Sequence, residues 1–265
     1  MKSLIAAILL VPSVYAAEPF LIFAADAAYT DAAVVPVVAK YLSSPDYLGY
    51  RAVVDGPGLG GIVNPAHLVQ ISSSLSDIQQ KIQLGCGPNT PHVIFYQWGD
   101  PSYTPPDEMA DLYGSLARAG ATVHASGCQL FGFLPEGRFF GATHCALNLG
   151  ASPYRQIDWT TIDYLDLTGG ALIDDLCSGK TGIADYVKLA QTIVSYVRGK
   201  NPKIVIAAHL SFRNTPPATM AQAFQELSGI VDGFLLAYPI YSPQKYASPS
   251  NLEIFLSTVR PAPHM

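Results

Sequence analysis

Continuous apolar runs that end on polar residues recur along this 265-residue chain, most of them followed by a turn and a helical pattern. A strand that is apolar without alternation must be buried on both faces, as in a parallel sheet covered by helices. Such runs occupy 20–25, ending at Asp26; 50–54, ending at Asp55; 92–96, ending at Gln97-Trp98-Gly99-Asp100; and 121–125. Others occupy 171–173, ending at Asp174-Asp175; 203–208, ending at His209; and 233–237, ending at Tyr238-Pro239, with a further candidate at 130–134. Helices are expected from Pro106 through Leu116 to a stop by Gly120, over Ile183, Val187, Ala190, Val194 and Val197, from Thr215-Pro216-Pro217 to Leu227, and over 251–259. Strand followed by helix, repeated, implies right-handed crossovers between parallel strands.

The expected fold class is therefore α/β, a (β/α)8 TIM-like barrel with irregularities. A barrel is preferred to an open doubly wound sheet because polar residues cluster at the strand ends along the whole chain, and no boundary divides it into halves. The stretch 135–169 is long, aromatic and poor in pattern, so it is either a functional loop or the place of an element not recognised.

The N-terminus reads differently. A short basic start, Met1-Lys2, precedes a nearly apolar stretch to Tyr15, and Val14-Tyr15-Ala16 places small residues at the −3 and −1 positions of a cleavage site. Residues 1–16 are expected to be a signal peptide and 17–265 a single barrel domain, secreted to the extracellular space or periplasm. No other run approaches the ~20 apolar residues of a membrane span, so stable membrane insertion is not expected. Export favours disulfides among Cys86, Cys128, Cys145 and Cys177, whose three possible pairings the sequence does not separate. The competing use of these residues is a metal site with His124 and His144, but no CxxC pair is present, and neither metal nor cofactor is expected.

Charged residues make up 13% of the chain and hydrophobic ones 49%, which excludes a disordered chain. A net charge of −5 argues against a nucleic-acid partner, which needs a basic face. Gly56-Pro57-Gly58 with Gly61 follows a strand as a dinucleotide fingerprint does, yet Pro57 and Pro65 suit a tight turn better. Ser178-Gly179-Lys180-Thr181 lacks the earlier glycine of a P-loop, since Asp174 occupies its place.

The sharpest signal is distributed over the strand ends. Asp26, Asp55, Asp100, Asp174, Asp175 and His209 each lie at or just past a predicted strand, and in a parallel barrel those ends share one rim. Tyr96, Trp98, Trp159 and Tyr238 lie in the same rim segments or beside them. Carboxylates can protonate or attack a glycosidic bond while flat rings pack against pyranose faces. Gly170-Ala171-Leu172-Ile173-Asp174-Asp175 resembles the Gly-apolar-apolar-apolar-Asp-acid strand end of several secreted barrel glycosidases, including spherulin-4-like hydrolases. The chain departs from chitinase-like barrels in lacking their D-x-x-D-x-D-x-E strand.

The expectation is a hydrolase acting on a polysaccharide or oligosaccharide. Asp174 or Asp175 is its acid or nucleophile, and Asp26, Asp55 or Asp100 supplies the partner carboxylate. His209 and Tyr238 orient the sugar, and Trp98, Tyr96 and Trp159 contact it. Two alternatives stand beside it: a non-catalytic carbohydrate-binding barrel, and a metal-dependent hydrolase using Asp26, His124 and His209.

Overall fold

The computed structural model describes residues 20–24, 33–42, 50–54, 68–83, 86, 92–99, 103–133, 155–167, 182–212, 215–237 and 246–259. Among them run strands β1 (Phe20–Ala24), β2 (Tyr50–Val54), β3 (Leu68–Ser72), β4 (Val93–Tyr96), β5 (Gln129–Phe133), β6 (Tyr164–Asp166), β7 (Val205–Ser211) and β8 (Gly233–Ala237). Each pairs in parallel with the next, and β8 pairs back onto β1, so the sheet closes on itself in chain order. Closure leaves no strand edge unpaired.

The helices are α1 (Val35–Leu42), α2 (Leu75–Gln83), α3 (Pro106–Ala110), α4 (Leu112–Ala125), α5 (Ile183–Arg198), α6 (Pro217–Leu227) and α7 (Pro249–Val259), with a 3-10 turn at Trp159–Thr161. Alternation along the strands divides the core into two layers. Val69, Val93, Phe95, Phe131, Tyr164, Ala207 and Leu235 pack together inside the barrel. Ile94, Leu130, Leu165, Ile206, Ala208, Leu210, Phe234 and Leu236 point outward and pack with the helices.

Several expectations need correction. The run at 121–125 is the last turn and a half of α4, not a strand; its small and β-branched residues pass for strand, but Val123 is part of the helix's buried face. Two strands went unrecognised. β3 carries Gln70 and Ser72 within its five residues, and β6 is three residues long inside the stretch read as loop. The expected strand at 171–173 lies outside the described residues, and the sheet position between β5 and β7 belongs to β6.

At the N-terminal end of the strands one arrangement occurs twice. Asp163, just before β6, accepts the Leu130 amide of β5 at 2.8 Å and returns its own amide to Leu130 O at 2.9 Å. Asp232, just before β8, does the same with Ile206 of β7, at 2.8 and 2.9 Å. Each carboxylate also meets a basic residue from the last turn of the preceding long helix: His124 of α4 at 2.8 Å for Asp163, and Arg198 of α5 at 2.8 Å for Asp232. A cation such as Arg198 is well placed at the negative end of a helix, and here it is shared with the base of a strand.

Candidate active site

The mouth of a parallel barrel lies at the C-terminal ends of its strands, and two polar side chains meet there. On β6, Tyr164 faces the interior and Leu165 the helices, so Asp166 faces inward again. On β7 the same alternation turns Val205, Ala207 and then His209 inward. His209 Nδ1 lies 3.0 Å from Asp166 Oδ2, with side chains 9% and 1% exposed.

A carboxylate accepts only, so in the neutral ring the shared proton belongs to Nδ1 and Nε2 carries the lone pair. That Nε2 is buried and has no hydrogen-bond partner among the described residues. Below the pair the barrel is filled by Phe95, Phe131, Tyr164 and Leu235, with Phe95 and Phe131 edge to face at 4.8 Å. A basic imidazole nitrogen above an apolar floor can take a proton from a bound molecule and return it, while the carboxylate holds the ring and offsets its positive charge.

Tyr186 of α5 approaches the same pair from the helix layer. It is fully buried, and its hydroxyl donates to His209 O at 2.9 Å. Burial pushes its phenol well above the ordinary range, and the nearby Asp166 carboxylate pushes it further.

The structure treats the residues expected from sequence unequally. His209 lies in the barrel mouth, although β7 continues past it to Ser211 and does not end there. Asp26, Asp55, Asp100, Asp174, Asp175 and Tyr238 lie outside the described residues. The three aromatics assigned to sugar contact are corrected, because each is packed between sheet and helices. Trp98 is 1% exposed, donates Nε1–H to Leu112 O at 2.6 Å and lies edge-on to Tyr113. Tyr96 is buried and donates to Glu108, whose other oxygen accepts the Leu75 amide at the start of α2. Trp159 is buried against Tyr196 of α5.

Of the residues named for a metal site, Asp26, His144, Cys145 and Cys177 lie outside the described residues. Cys128 is bonded to Cys86, His124 is paired with Asp163, and no group of three metal-binding side chains occurs among the described residues. No described helix is long and apolar enough to cross a membrane. Sequence reasoning missed Asp166 and Tyr186. The apolar-apolar-acid-apolar run Tyr164-Leu165-Asp166-Leu167 was the available signal for the first, and nothing in the sequence marks the second.

No family model matches the chain, and no curated protein does. Solved structures do resemble it. A protein assigned as a deoxyribose-phosphate aldolase from Toxoplasma gondii ME49 matches with TM-score 0.50 and 11% identity, over 91% of this chain and 93% of that one. A Schiff-base-forming fructose-1,6-bisphosphate aldolase matches with TM-score 0.50 and 9% identity, over 93% and 95%. These neighbours are aldolases and not polysaccharide hydrolases, and they lend no support to secretion. With the supposed sugar-stacking rings buried as well, the expectation of a polysaccharide hydrolase is withdrawn. At such identity the likeness shows the fold alone: an α/β chain of parallel strands wrapped by helices.

Proposed function

We propose that this chain is an enzyme that moves protons on a small molecule held in the barrel mouth, with His209 as general base and acid and Asp166 as its orienting partner. The observation that carries this reading is the buried Nε2, without a described partner, on an imidazole fixed through Nδ1 by a buried carboxylate. A buried nitrogen without a partner costs desolvation free energy, which a ligand that hydrogen-bonds to it restores. The regular (β/α)8 arrangement belongs to the same reading, supported by eight parallel strands closing in chain order.

The Schiff-base chemistry of the fructose-1,6-bisphosphate aldolase is not carried over. None of the eight described strands bears a lysine to form the imine. The test is to incubate the protein in deuterated water with a panel of small carbonyl and hydroxy compounds, following deuterium uptake by mass. His209→Gln should lower exchange of the active compound by roughly 10²-fold or more with the circular-dichroism spectrum unchanged. Exchange at the wild-type rate in that variant would remove His209 from the chemistry.

A further inference from the structure

We infer that Tyr186 is the positioning residue of the Asp166–His209 pair, an assignment that rests on the reading of that pair as the proton-transfer site. The reason lies in the unequal lengths of two neighbouring strands. β6 ends at Asp166, whereas β7 runs on to Ser211. The following residue, Leu167, donates its amide to Ala207 O at 3.0 Å. Carbonyls alternate in direction along a strand, and on the other side Ile206 O accepts the Asp232 amide at 2.9 Å. The His209 carbonyl, two residues beyond Ala207, therefore faces the β6 side, one step above the last β6 bond.

The donor that meets it is the Tyr186 hydroxyl, at 2.9 Å. A side chain from α5 thus bonds this carbonyl and holds the β7 backbone at the residue whose ring must reach Asp166. The same phenol lies close enough to Asp166 to feel its charge. Because Tyr186 is on the helix side of the sheet and His209's ring is on the barrel side, Tyr186 acts through the backbone. Among the described residues it reaches the pair by way of that carbonyl and the field of the carboxylate.

The consequence is specific. Removing the hydroxyl frees the His209 backbone by a fraction of an ångström, enough to loosen a 3.0 Å contact that depends on both strands. The experiment is nitrogen-15 and proton magnetic resonance of the imidazoles in the full-length protein, with no ligand needed. Wild type should show a protected, downfield Nδ1 proton that disappears in Asp166→Asn, which assigns it to the pair. In Tyr186→Phe the same proton should exchange at least tenfold faster and its resonance should move, while the helix content stays unchanged.

An unmoved resonance with unchanged exchange in a folded Tyr186→Phe overturns the assignment. Should that variant fail to fold, 3-fluorotyrosine at position 186 keeps the ring and the hydrogen bond but changes its strength. A moved Nδ1 resonance then supports positioning, and an unmoved one refutes it. Neither result depends on turnover. Loss of the Nδ1 signal in Tyr186→Phe together with wild-type proton exchange in His209→Gln would therefore leave the positioning intact and sink only the proposed function.

Discussion

At the scale of single residues, burial decides what each polar group can do. Tyr96 and Tyr186 are both fully buried phenols, and both are raised well above the usual phenol range, in each case mainly by burial and then by a neighbouring carboxylate, Glu108 or Asp166. The direction of the linkage follows. In the unfolded chain these phenols ionise near pH ~10, while in the native protein they stay neutral, so their contribution to stability is complete below that pH and is lost as the pH rises above it. An absorbance titration at 295 nm should accordingly leave at least these two of the 15 tyrosines silent up to about pH 11, and they should appear only with alkaline unfolding. Tyr96→Phe and Tyr186→Phe should each remove one silent phenol. If all the tyrosines of the folded protein ionise together near pH ~10, the burial of these two groups is wrong.

At the scale of elements, α4 comes very close to the turn that leads into β6. A Cβ at Gly120 would lie 2.6 Å from Thr161 Cβ and 2.7 Å from Thr161 O. Ala is the better helix former by about 1 kcal/mol, yet backbone cannot swing aside as a side chain can, and overpacking costs about 1–3 kcal/mol. Gly120→Ala should therefore lower stability in urea denaturation, and it should reduce activity as well, because β6 begins three residues after Thr161. A stabilised variant would show that the helix and turn separate freely. The same region explains what the sequence could and could not reveal. Strands β1, β2, β4 and β8 and helices α5, α6 and α7 follow from period and punctuation, because long apolar runs and proline-glycine boundaries leave few alternatives. β6 does not, because three residues are too few to show a period, and Asp166 was hidden with it. Trp98 was misplaced for another reason: position after a strand end does not say whether a ring turns into the mouth or under the adjoining helix.

At the scale of the whole molecule, a covalent link joins the segment after α2 to the start of β5. Cys86 and Cys128 are disulfide-bonded across a separation of 42 residues, with Cα atoms 5.3 Å apart. Closing a loop of that length restricts the unfolded chain by about 4 kcal/mol. Full reduction should then lower the thermal midpoint by roughly 10 °C, and an unchanged midpoint in reductant would show that the loop is already closed by packing. The pairing also leaves Cys145 and Cys177 as the only other cysteines of the chain. At the foot of the barrel the two aspartates make non-covalent links between neighbouring strands. A basic residue in a helix's last turn, an aspartate, and the amide and carbonyl of the neighbouring strand are joined once between α4, β5 and β6 and again, with α6 intervening, between α5, β7 and β8. Each aspartate fixes how far one strand can slide along its neighbour at the foot, so the height at which the strand ends meet at the mouth is set from below.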